Sequence, residues 1–269
     1  MFDSITLGQY YQTDSLLHRL DPRVKLVGTF VYLISLFVVD HIAGYAVTAA
    51  FLLAMIALSN VPIRYIVRGM RMIAVLLCIT MLFNIFLTPG EVIWQYKIFK
   101  ITKEGVTFAV KMALRLIMLI IGSSIMTLTT TPTQLTDALE SLMNPLKKLR
   151  VPAHEIAMMM SIALRFIPIL MEETDKIMKA QIARGADFES RNIIKKIKSM
   201  VPLLVPLFIS AFRRANDLAM AMEARCYRGG SGRTKMKPLI YQNRDRVAYA
   251  VLVVYLVICI LTRVFLRSA

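Results

Sequence analysis

The chain has 269 residues, 57% of them hydrophobic, and a mean hydropathy of +0.60. Its apolar residues come in long runs rather than half-buried stripes, which excludes an ordinary soluble domain and places it in the membrane class. The net charge of +16, from 33 Lys+Arg against 17 Asp+Glu, marks basic cytoplasmic loops; nucleic-acid binding is set aside because no basic patch carries interleaved aromatics or a nucleic-acid fold signature.

A bilayer-crossing helix needs about 20 mostly apolar residues. In chain order, the opening MFDSITLGQY lacks the basic region and small-residue cleavage site of a signal peptide. The first predicted span covers residues 26–39. The preceding Asp21-Pro22 suits a helix start, with Asp as N-cap and Pro at the first helical position. The second span covers 43–59, the third 72–87 up to Thr88-Pro89-Gly90, the fourth 106–128 and the last 247–261. Lys111 and Arg115 lie within the fourth span and are expected to snorkel toward the interface. The 60–71 loop carries Arg64, Arg68 and Arg71 and no acid, which sets the N-terminus in the cytoplasm and the C-terminus outside. The 88–105 loop is then external, in mild conflict with its Lys97, Lys100 and Lys103.

Residues 129–246 hold 20 of the 33 basic residues and read as helices with apolar faces. One opens at 133–137 and stops near Asn144-Pro145. A long one covers 154–183, and a third covers 192–224 with a break or kink expected at Pro202 and Pro206. Arg228-Gly229-Gly230-Ser231-Gly232 ends the region. The fold expected is an all-α integral membrane protein of about five transmembrane helices, with a cytoplasmic coupling-helix region between the fourth and last spans. The domains are 1–128, 129–246 and 247–269.

Two helix ends look alike. One reads Ala183-Arg184-Gly185 and the other Ala224-Arg225-Cys226, with the arginines 41 residues apart. Back from Arg225, Met222, Leu218, Ala215, Ala211 and Phe208 form an apolar stripe at helical steps. A basic residue at a helix end also complements exposed carbonyls and the helix dipole, so a capping role competes with a docking role. For docking, arginine provides an always-charged fork of five donors, and small neighbours permit close approach.

Together with Leu20-Asp21-Pro22-Arg23-Val24-Lys25 and Arg165-Phe166-Ile167-Pro168, these motifs make the chain resemble the transmembrane T component of energy-coupling factor transporters. These are vitamin and metal importers related to ABC transporters. The resemblance covers essentially the whole chain, and its specific part is the pair of Ala-Arg-small motifs. It implies that Ala183, Arg184, Gly185, Ala224, Arg225 and Cys226 dock in grooves of two ATPase subunits. It also implies that Asp21, Pro22, Arg23, Lys25, Arg165 and Pro168 form structural family motifs, and that a substrate-binding membrane S component is a further partner. Cys226 stands where the family often has glycine. Met158, Met159, Met160, Met171, Met178, Met200, Met220 and Met222 are candidates for the S-component contact, since methionine adapts to several partners.

The sequence has no Walker A motif, so ATP and Mg are expected in the partner ATPase subunits and no cofactor in this chain. No set of carboxylates, histidines and nucleophiles converges as an enzyme site would require. Cys78, Cys226 and Cys259 and the three histidines are too scattered for a disulfide framework or metal site. The expected place is a prokaryotic plasma membrane. A stand-alone secondary transporter with a helical insertion is the alternative, and it would call for charged residues at the membrane midplane, whereas these spans are nearly free of acids.

Overall fold

The computed structural model describes residues 10–39, 41–96, 99–149, 152–186, 188, 193–229, 236 and 238–267. The elements in order are α1 (Pro22–Val38), α2 (Ile42–Ser59), α3 (Ile63–Leu87), β1 (Val92–Tyr96), β2 (Phe99–Thr102), α4 (Lys103–Thr129), α5 (Pro132–Met143), a 3-10 helix (Asn144–Leu149), α6 (Ala153–Ala183), α7 (Ile193–Ala224) and α8 (Asn243–Arg267). The protein is therefore an all-α membrane protein with one small hairpin. The second to fifth predicted spans fall within α2, α3, α4 and α8, and the first overlaps α1, running one residue past it to the C-cap Val39.

α2, α4, α6 and α8 are long and apolar enough to cross a membrane, and α3 carries a shorter apolar segment, Ile73–Leu87. α6 meets this length and apolarity although its sequence places it in the coupling region. Its last third is strongly charged, with Glu172, Glu173, Asp175, Lys176 and Lys179. The basic stretch expected as a loop is helical from Ile63 onward: Pro62 occupies the N-cap, and no proline follows until Pro89. The stretch expected as an external loop contains the antiparallel pair β1–β2, with Val92 opposite Thr102 and a bulge between Val92 and Trp94. β-branched and aromatic residues favour these strands. Thr102 then caps α4, accepting from the Gly105 N–H.

The chain packs as two compact units. The first contains the described residues from 10 to 138 and from 239 to 267, and the second those from 139 to 238. The core of the first is built by Tyr32 and Leu36 of α1, Tyr45 and Leu52 of α2, Met118 and Ile125 of α4, and Tyr255 and Cys259 of α8. Phe51 and Tyr255 stack with ring centroids 4.2 Å apart. Gly122 lets α4 approach α1 closely: a Cβ there would lie 2.5 Å from the Tyr32 ring. α1 and α4 are antiparallel and tied at both ends by a cation from one to a terminal carbonyl of the other. Lys25 Nζ donates to the Thr129 carbonyl at 2.8 Å, and Arg115 Nη2 donates to the Val39 carbonyl at 3.0 Å. Each satisfies a carbonyl that the helix itself leaves unpaired. Arg115 thus reaches the carbonyl end of α1, next to the turn into α2.

In the second unit α6 and α7 pack against each other. Glu173 of α6 meets Ser210 and Arg214 of α7, and further along α6 Gln181 meets Pro202, earlier in α7. Rising numbers on one helix thus meet falling numbers on the other, so the pair is antiparallel. Of the break or kink expected at Pro202 and Pro206, there is no break: α7 continues through both. Pro206 has no N–H for the carbonyl four residues earlier, that of Pro202. Gln181 Nε2 donates to that carbonyl instead, at 3.4 Å.

Candidate functional site: two arginine-bearing helix ends

α6 and α7 end in the same backbone motif. In α6 the C-cap is Arg184, with φ −88° and ψ 5°. Gly185 follows at φ +87°, its N–H donating to the Ile182 carbonyl at 2.9 Å, and the Ala186 N–H donates to the Gln181 carbonyl at 3.0 Å. These are the paired bonds of a Schellman motif, closed by a left-handed residue. In α7 the Cys226 N–H donates to the Glu223 carbonyl at 2.8 Å and the Tyr227 N–H to the Met222 carbonyl at 3.0 Å, with Cys226 at φ +56°. The two arginines therefore occupy the same position in the same motif.

The third residue of each sequence motif is thus fixed by backbone conformation as well as size. At Gly185 a Cβ would meet nothing within 4 Å, so the demand there is for positive φ alone. Cys226 meets the same demand with a side chain, at a conformational cost of about 1 kcal/mol. Ala183, Arg184, Gly185, Ala224, Arg225 and Cys226 are all exposed. Neither arginine forms an ion pair with a described residue, and both side chains belong to exposed residues.

The half-buried face of α7 includes Ser210, Ala211, Arg214, Leu218 and Met222, and that of α6 includes Leu170, Glu173, Thr174, Ile177 and Gln181. Ala211, Leu218 and Met222 of the predicted stripe lie on that face, whereas Phe208 and Ala215 are exposed. Between the helices, the Glu173 carboxylate accepts from Ser210 Oγ at 2.5 Å and from Arg214 Nη2 at 2.8 Å. Sequence reasoning missed these three residues. The available signal was the spacing, because Glu173 and Arg214 are separated by the same 41 residues as the two arginine ends.

A profile of the family described as cobalt transport protein (CbiQ) matches residues 13–236. The energy-coupling factor transporter transmembrane protein EcfT of Clostridium kluyveri is 54% identical over 267 residues, covering 98% of this chain and 99% of that protein. The protein of the same name from Bacillus subtilis is 46% identical over 255 residues, covering 94% and 96%. The chain belongs to this family of transmembrane components of energy-coupling factor transporters.

The other family motifs of this T component take structural roles in the described residues. Asp21 caps α1, accepting from the Arg23 N–H at 2.9 Å, and its carboxylate is gripped by Arg23 Nε at 3.0 Å and Nη2 at 2.9 Å. Arg23 in turn lies over the Tyr241 ring, 3.8 Å from its centroid. Burial works against the Asp21 charge, but the bonds from Arg23 outweigh it and hold the carboxyl below its ordinary value. Pro22 occupies the first turn of α1, and Lys25 supplies the cap on α4. Asp245, which sequence reasoning missed, is fully buried and binds two helix starts. Its Oδ1 accepts from the Asp21 N–H at 2.9 Å and its Oδ2 from the Gln242 N–H at 2.8 Å. The detectable signal was Gln242-x-x-Asp245, the spacing of a residue that reaches back to its helix start. Arg165 is exposed on α6, and Pro168 is carried inside that helix.

Exposed apolar residues are dense along α7, including Val201, Val205, Phe208, Ile209 and Phe212. Of the candidate methionines, Met159, Met160, Met200 and Met220 are exposed, while Met158, Met171, Met178 and Met222 are half-buried. Among the described residues no group of three or more His, Cys, Asp or Glu is arranged to hold a metal ion.

Proposed function

We propose that this T component is the coupling subunit of an ATP-driven importer. Arg184 and Arg225 dock the ends of α6 and α7 in two ATPase subunits. ATP binding and hydrolysis, with Mg, take place in those subunits, and their motion moves the two helix ends. α6 and α7 carry that motion to a substrate-binding membrane subunit that holds a vitamin or metal ion. The N-terminus and the coupling region face the cytoplasm of a prokaryotic cell, a reading supported by the arginines at 64, 68 and 71.

The observation that carries this reading is the duplicated end. Two helices of one antiparallel pair finish in the same hydrogen-bonded motif, with an exposed arginine at the same place in each that has no ion-pair partner among the described residues. A pair of equivalent tips fits two equivalent partner grooves. The exposed apolar face of α7 and the exposed methionines favour a membrane-subunit contact alongside, since a large uncovered apolar patch marks an interaction or lipid surface.

Replacing either arginine with Ala removes a charged fork at an interface, where such a hot spot is worth about 2 kcal/mol or more. A cap-only role forecasts a loss of roughly 0.3–1 kcal/mol in helix stability with the complex intact. The test is recovery of ATPase subunits with the Arg184→Glu/Arg225→Glu variant at matched membrane levels. The docking role predicts near-complete loss. Normal recovery with normal transport would refute it.

A further inference from the structure

α6 and α7 meet at one charged contact whose placement is symmetric about the two arginine ends. Glu173 lies eleven residues before Arg184, and Arg214 lies eleven residues before Arg225. At the rise of an α-helix each arginine sits roughly 16 Å beyond the contact along its own helix. Because the helices are antiparallel, the two arms leave the contact in opposite directions. Pro168, Pro202 and Pro206 all precede the contact, so both arms are free of proline and uninterrupted to their ends.

The chemistry of the contact suits a pivot better than a clamp. Ser210 and Arg214 are four residues apart on α7, one turn, and both donate to the single carboxylate of Glu173. Sliding one helix past the other would break both bonds. Rotation about the contact would not, because Arg214 reaches the carboxylate through one nitrogen, and its Nε is buried with no hydrogen-bond partner among the described residues. A two-bond fork would instead fix the angle between the groups. The other polar contact between these helices described above, Gln181 Nε2 to the Pro202 carbonyl, is long at 3.4 Å and exposed, and a change of angle would break it first.

We infer that Glu173, held by Ser210 and Arg214, is the pivot of the α6–α7 pair: it fixes where the helices cross, keeps the arginine arms equal and lets their angle change. This rests on the docking roles of Arg184 and Arg225. Glu173, Ser210 and Arg214 are positioning residues and need not touch an ATPase subunit themselves. Equal arms mean that two equivalent ATPase subunits displace the two tips by equal amounts.

The test uses the full transporter in lipid nanodiscs. Spin labels replace Lys179 and Met220 on a cysteine-free background; both are exposed, and each lies six residues beyond the contact on its own arm. The parent should give one narrow distance distribution that shifts between nucleotide-free and ATP-bound states. Glu173→Ala and Ser210→Ala/Arg214→Ala should broaden it and lower substrate moved per ATP by roughly two- to fivefold, the range for a partly exposed ion pair. The exchange Glu173→Arg/Arg214→Glu should restore a narrow distribution, which separates positioning from general damage to the fold. Unchanged distributions in the Ala variants, or an exchange variant as broad as they are, would overturn the pivot. ATPase recovery with the Arg184→Glu/Arg225→Glu variant is measured in parallel. Loss there with unchanged Ala-variant distributions removes only the pivot, whereas full recovery removes the docking reading on which it rests.

Discussion

Gly185 and Cys226 occupy the same left-handed position in two equivalent helix ends, so exchanging their residue types tests the site directly. At Gly185 a Cβ meets nothing within 4 Å, and the effect of adding one is therefore a backbone effect alone. A side chain at positive φ costs about 1–2 kcal/mol. Glycine gives back roughly 0.5–1 kcal/mol of that through its larger entropy loss on ordering. The net is about 0.5–1 kcal/mol at each end, or roughly a two- to fivefold change in the opening equilibrium of the last turn. Cys226→Gly should slow hydrogen exchange of the Cys226 and Tyr227 amides by that factor, since these donate the closing bonds to Glu223 and Met222. Gly185→Cys should speed exchange of the Gly185 and Ala186 amides by a similar factor. The assay is hydrogen–deuterium exchange with peptide-level mass spectrometry on the protein in nanodiscs. Equal and opposite changes support the shared motif. No change at either end, or a change of the same sign at both, would refute the assignment of a common conformational demand.

Asp245→Ala should leave the N–H groups of Asp21 and Gln242 without their buried acceptor, at about 1–3 kcal/mol each, and a clear drop in melting temperature or in folded yield checks this. The Asp21 carboxyl is held below its ordinary value, so its contribution to stability is complete above the usual carboxylate range and is lost as pH falls through its folded-state pKa. The melting-temperature gap between the parent and Asp21→Asn should therefore be widest at neutral pH and shrink as pH falls below about 4, the unperturbed carboxylate value; a gap independent of pH would contradict the Asp21–Arg23 account.

Much of this T component was open to reading along the chain, because its strongest signals are local. Long apolar runs identify membrane helices wherever they fold, since a helix satisfies all the backbone groups of one continuous segment within itself. Asp21-Pro22 announces a helix start for the same local reason, and Asp21 does cap α1. The paired Ala-Arg-small motifs ended two helices as expected, because a left-handed closing residue is a requirement on one residue's backbone. Local rules also misled. The prolines at 202 and 206 left a break open, yet α7 continues through both without one, and the Pro202 carbonyl finds its donor on a different helix, at Gln181. The hairpin 92–102 was hidden by its short strands, which carry no long alternation.

The sequence by itself determined that the chain is helical and membrane-embedded, where its helices run, and that two of them end in matching arginine motifs. Tertiary structure alone decided which distant groups share a contact. The Asp245 carboxylate reaches the N–H of Asp21, 224 residues away, and the Thr129 carbonyl is capped by Lys25, 104 residues away. Glu173 meets Arg214 only because α6 and α7 fold back antiparallel. The physical reason is one of range: helix propensity, capping and apolar runs act within a few residues, whereas a buried carboxylate or an unpaired carbonyl is satisfied by whichever donor packing brings within about 3 Å.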